Sequence, residues 1–61
     1  LGANIRKLRI KQGISQSQLS FETGLSREYI NRVESGKCNI SILNLQKISE
    51  ILEVEMVVLL K

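Results

Sequence analysis

The side chains best equipped for recognition chemistry in this 61-residue chain lie between positions 26 and 39. Arg27, Glu28, Asn31 and Arg32 recur at helical spacing. A helix through them carries guanidiniums, a carboxylate and an amide on one side. These groups match the hydrogen-bond patterns of nucleobase edges. Arginine pairs with guanine O6 and N7 through two bonds, and a carboxylate accepts from cytosine N4. Arg27 stands in the first turn, and Arg32 follows on the same face. Asn31 lies one residue off that stripe and is the weaker candidate for base contact. Glu28 keeps a second reading, a residue that favours the positive end of a helix dipole. Catalysis is excluded by residue type. The chain has no histidine, its single cysteine, Cys38, has no base beside it, and there is no glycine-rich phosphate loop. Neither a cofactor nor a metal site is expected.

The positioning elements are written in the run SQSQLSFETGLSREYINRVESG, from Ser15 to Gly36. Ser15 caps a first helix, with Gln18 at the capping-box position. Thr23-Gly24-Leu25 forms a turn in which Gly24 suits a left-handed cap. Ser26 caps a second helix that runs to Ser35 and stops at Gly36. Leu19, Leu25, Ile30 and Val33 point inward, while Arg27, Glu28, Asn31, Arg32 and Ser35 face out. Such a pair is the sequence form of a helix-turn-helix, whose second helix lies in the DNA major groove.

Three further segments supply the frame. Residues 3–12 make a helix with Ile5 and Leu8 on one face and Leu1 extending it. Gly13 ends that helix and Ile14 enters the core, while Arg6, Lys7 and Lys11 point outward. Phe21 is expected in the core or at its lip. Ser41 caps a fourth helix with Leu45, Ile48, Ile51 and Leu52 as its buried stripe. In the last segment Met56, Leu59 and in part Leu60 satisfy the core, which leaves Val57 and Val58 in excess. A terminal helix apolar all round calls for a second surface. A homodimer interface through Val54, Met56, Val57, Val58 and Leu60 meets that need. A frayed tail, or one covered by missing residues, is the alternative.

Composition bounds the rest. A chain of this length buries about 60% of its unfolded surface, and its core supplies only ~3–5 kcal/mol, so a partner subunit matters. Nine Lys/Arg against six Asp/Glu give a net charge of +3. Arg6, Lys7, Arg9, Lys11, Arg27, Arg32 and Lys37 precede residue 40, and Glu50, Glu53 and Glu55 follow it. A basic front and acidic rear fit a polyanion on one side, or simply a solvated surface. One cysteine excludes an internal disulfide and suits a reducing cytoplasm. Cys38 itself reads as an ordinary loop cysteine. The apolar run Met56–Leu60 is too short to span a bilayer, and no secretory leader opens the chain. A start at Leu1 instead of methionine suggests trimmed termini.

The stretch LSREYINRVESGKCNISILNLQKI resembles the Cro/repressor (XRE-type) helix-turn-helix family, with a match from about Ile5 to Leu60. The pattern RxYI…VExGxxNIS…NLxKI is most like the controller proteins of restriction–modification systems. Departures are Ile40 where most members carry proline, Ser20 for alanine, Cys38 for a basic residue and Glu28 for threonine. The resemblance implies an all-α, lambda-repressor-like bundle of five short helices as a single domain, 1–61. It implies a buried Arg9–Glu34 ion pair joining the first and third helices. It assigns Gln16, at the start of the second helix, and Tyr29 to the DNA backbone. Ser26, Lys37, Asn39, Ser41 and Asn44 complete the expected phosphate contacts. The expected function is transcriptional regulation by a cytoplasmic homodimer, of bacterial or phage origin, on a pseudo-palindromic operator, with recognition helices ~34 Å apart. Controllers both activate and repress, so RNA polymerase is a further candidate partner; no membrane or small-molecule substrate is expected. Two other readings stay open: an antitoxin or phage-type autorepressor, and a protein-interaction module that does not bind DNA.

Overall fold

A computed structural model describes residues 1–60. Its elements, in chain order, are α1 (Gly2–Lys11), α2 (Gln16–Thr23), α3 (Arg27–Glu34), α4 (Ile42–Leu52) and α5 (Met56–Leu60). The bundle expected from the sequence is thus the observed one, all-α among the described residues. None of these helices is long and apolar enough to cross a membrane.

Serines start three of the helices. The Ser15, Ser26 and Ser41 hydroxyls accept from the N–H groups of Gln18, Tyr29 and Asn44 at 3.0, 3.0 and 3.2 Å. Each cap satisfies one of the donors a helix start leaves without an intrahelical partner. The turn between α2 and α3 is closed by side chains as well as by Gly24, which sits left-handed at φ 76°. Ser20 Oγ donates to the Leu25 carbonyl. Thr23 Oγ1 donates to the Leu19 carbonyl at 2.7 Å and accepts from Leu25 N–H at 3.2 Å. Thr23 therefore belongs to the last turn of α2, and the break falls one residue later than the composition suggests.

The core is built from Ile5, Leu19, Ile30, Val33, Leu45, Ile48, Leu52 and Leu59, one or more from every helix. Leu8, Ile14, Leu25, Ile51 and Met56 pack partly buried against it. Two expectations change. Phe21 is 88% exposed. The buried face of α2 passes through Leu19 and Thr23, and a residue two positions from Leu19 is rotated about 200° away from it on a 3.6-residue helix. Leu1 is the N-cap residue of α1 and is exposed, so it does not continue the apolar face.

Contacts at a distance in sequence lock the helices together. Gln12 Nε2 donates to the Leu52 carbonyl at 2.8 Å, and Asn4 Nδ2 to the Leu59 carbonyl at 3.2 Å. Both bonds satisfy carbonyls near helix C-termini. Gly2 marks the closest approach of α1 to α3, because a Cβ there would sit on the Val33 carbonyl. This glycine is needed for a close approach, not for a turn.

Candidate nucleic-acid interface

α3 has two faces of opposite character. Ile30, Val33 and Glu34 are buried, whereas Arg27, Glu28, Asn31 and Arg32 are exposed. Among the described residues, Arg27 and Arg32 make no ion pair and no side-chain hydrogen bond. Their guanidiniums keep every donor free for an outside acceptor. α3 is held in this orientation by the capped, side-chain-closed turn that precedes it and by the apolar residues beneath it.

Five of the candidate residues line one cleft of about 320 Å³: Ser26, Glu28, Tyr29, Arg32 and Asn39, with Cys38 at its wall. The loop after α3 is thereby brought beside the exposed face of the helix. Arg27, Lys37 and Ser41 are exposed outside this cleft. Tyr29 is half-buried and packs against the core, and its hydroxyl accepts from Asn44 Nδ2 at 3.2 Å. The tyrosine proton remains available to donate outward. The same holds for Ser26 and Ser41, whose oxygens accept from backbone N–H while their O–H groups are left to donate.

On the other flank of α3 lies a second cleft, of about 260 Å³, which includes Arg9, Gln16, Asn31 and Glu34. Arg9 and Glu34 form a two-armed ion pair. Nε donates to Oε2 at 2.7 Å and Nη2 to Oε1 at 2.9 Å, while Nη1 donates to the Ile14 carbonyl at 2.8 Å. Both residues are buried. The hydrogen bonding of its guanidinium to Glu34 raises the Arg9 pKa above its ordinary value, burial opposes this, and the opposite charge adds to it. A raised pKa makes the pair's contribution fully present below the ordinary arginine range. It is lost only as pH climbs through the raised value, so Arg9 adds no pH dependence near neutrality.

Gln16 is tied into this pair. Its Nε2 donates to Glu34 Oε1 at 3.1 Å and to Asn31 Oδ1 at 3.4 Å. Both N–H groups thus have acceptors within the protein, and a phosphate could receive one only if the longer, exposed bond to Asn31 were released. Sequence spacing links neither Gln16 nor Asn31 to Glu34, and it does not pair Tyr29 with Asn44. Those partners lie 15 and 18 residues apart, beyond any local spacing rule.

At the opposite end of the chain, α5 buries Leu59 and leaves Val57, Val58 and Leu60 exposed, with Val54 and Met56 half-buried. Leu60, expected to serve the core in part, is 57% exposed. These residues make an apolar strip remote in sequence from α3.

Residues 5–59 match the family model described as helix-turn-helix. Control protein C.BamHI of Bacillus amyloliquefaciens is 42% identical over 55 residues, covering 88% of this chain and 68% of that protein. Other relatives are longer, and the chain spans 51% of one and 38% of another. The crystal structure of the restriction-modification controller protein C.AhdI from Aeromonas hydrophila superposes with a TM-score of 0.92 at 40% identity. That match covers 95% of this chain and 88% of the other. The biofilm master regulator SinR, crystallised in complex with DNA, gives a TM-score of 0.93 at 33% identity, covering 98% and 97% of the two chains.

Proposed function

Because the chain belongs to the helix-turn-helix family of the Cro/repressor (XRE) type and is a DNA-binding transcriptional regulator, we propose that it works as a homodimer on a pseudo-palindromic operator, as a controller of a restriction–modification operon. The observation that carries the DNA half of this reading is the outer face of α3, where Arg27 and Arg32, without a partner among the described residues, project from a helix anchored in the core. Arg27, Glu28, Arg32 and Asn31 read bases. Ser26, Tyr29, Lys37, Asn39, Ser41 and Asn44 hold phosphates and set register, together with the N-terminus of α2 around Gln16. The exposed apolar strip of α5 supports the dimer. Val57, Val58 and Leu60, with Val54 and Met56 beneath, pair with their symmetry mates in an isologous contact. A regulator of this kind works in the cytoplasm. If it activates as well as represses, RNA polymerase is its second partner.

One experiment tests both halves: selection of bound duplexes from a random pool, with sizing of the recovered complex. The expected result is a two-fold symmetric site with half-site centres one helical turn apart, ~10 base pairs, and two chains per site. Absence of any mobility shift on duplex DNA at low salt would overturn the DNA reading. A single chain on a half-site would overturn the dimer. A restriction gene beside the coding sequence favours the controller role, and a toxin gene favours the antitoxin alternative.

A further inference from the structure

The hydrogen bonds around Glu34 have a direction, and that direction extends to the surface. A carboxylate paired with a guanidinium offers acceptors only. Both Glu34 oxygens are already bonded to Arg9, so any amide that joins Oε1 must do so through its NH₂ end. Gln16 joins there with Nε2 at 3.1 Å. The second hydrogen on the same nitrogen can then meet only an acceptor, and Asn31 presents Oδ1 to it at 3.4 Å. The Asn31 amide is thereby turned with its oxygen toward Gln16 and its NH₂ away from it. Among the described residues that NH₂ has no partner, and Asn31 is exposed.

We infer that Gln16 is a positioning residue that transmits the acceptor polarity of the buried Glu34 carboxylate to Asn31, so that Asn31 meets DNA as a hydrogen-bond donor. The inference rests on the DNA-binding reading above and adds a direction to it. An asparagine free to flip can offer either end of its amide and discriminates poorly. One held by this relay seeks an acceptor on the duplex, either a phosphate oxygen or a base acceptor in the major groove such as guanine O6 or N7. The relay also gives the core ion pair a second effect. Besides joining α1 to α3, it sets the polarity of a side chain at the interface.

The test is a double-mutant cycle on a duplex recovered by selection with the wild-type protein. Asn31→Ala weakens binding roughly tenfold in the wild-type background, the scale of one hydrogen bond to a charged acceptor. After Gln16→Met, which removes the amide while keeping bulk, the same Asn31→Ala change costs less than about twofold, because an unheld asparagine contributes little. Equal factors in the two backgrounds would overturn the relay. Asn31→Asp keeps an acceptor for Gln16 but removes the outward donor, so its loss is at least that of Asn31→Ala. Binding as tight as wild type by the Asp variant would also overturn the inference. Helicity and melting temperature of each variant, measured alongside, separate folding loss from binding loss. Loss spread evenly over unrelated duplexes identifies a phosphate as the acceptor, and loss confined to one base pair identifies a base edge. A wild-type protein that binds no duplex defeats the proposed function itself, whereas tight wild-type binding with independent factors defeats only the relay.

Discussion

Arg9 and Arg32 are the same side chain under opposite conditions. Arg9 is buried, and its guanidinium makes three hydrogen bonds, two to Glu34 and one to the Ile14 carbonyl. Arg32 stands exposed on the outer face of α3, with no partner among the described residues. The first arginine is used up inside the protein, and the second is left for something outside it. Net charge does not separate the two, because both count as +1. What separates them is whether a fixed acceptor already faces the guanidinium. Interface candidates are therefore better chosen by unmet hydrogen-bonding capacity than by basic character.

The contrast can be broken or sharpened by substitution. The largest effect is expected on the buried side. Glu34→Ala strands the Arg9 charge and lowers stability by ~3–5 kcal/mol, comparable to the whole margin of a domain this small. Urea denaturation would measure it, and a loss near zero would show that Arg9 is as free as Arg32. On the exposed side stability should hold while recognition changes. Arg27→Ala is expected to remove ~1–3 kcal/mol of discrimination at one half-site position, read by operator titration against single-base variants. An unchanged preference takes Arg27 out of base reading. Lys37→Ala is expected to weaken all duplexes alike and to flatten the salt dependence of binding by about one unit. An unaltered slope removes it from the phosphate set. The smallest effect belongs to Phe21. Its ring is 88% exposed, so Phe21→Ser should change stability by no more than ~0.5 kcal/mol, checked by thermal melting. A larger loss would mean that the ring is covered in solution.

Much of this molecule was legible from local pattern. Residue type and position mark Ser15, Ser26 and Ser41 as caps, and each makes the expected backbone bond. Gly24 suits a left-handed break, and its φ of 76° agrees. Helical spacing turns Leu19, Ile30, Val33, Leu45, Ile48 and Leu52 inward, and all six are buried. Phe21 departs from the core expected of its hydrophobicity because helical phase sets the inner face of α2 at Leu19. The candidate interface was legible as a set of residue types. Its internal bonding was not, since Gln16–Glu34 and Tyr29–Asn44 depend on how three helices cross.

Caps, turns and the two faces of α3 follow from interactions that span three or four residues, and these the order of the amino acids determines unaided. The Arg9–Glu34 pair was anticipated only through resemblance to a family, because no spacing rule reaches across 25 residues. Tertiary packing alone decided that Gln12 and Asn4 would hold the carbonyls of Leu52 and Leu59, that Gly2 would lie against Val33, and which end of the Asn31 amide meets Gln16. The physical reason is directional. A hydrogen bond needs its partners within ~3 Å and aligned, and for side chains distant in sequence that alignment exists only once the helices have packed.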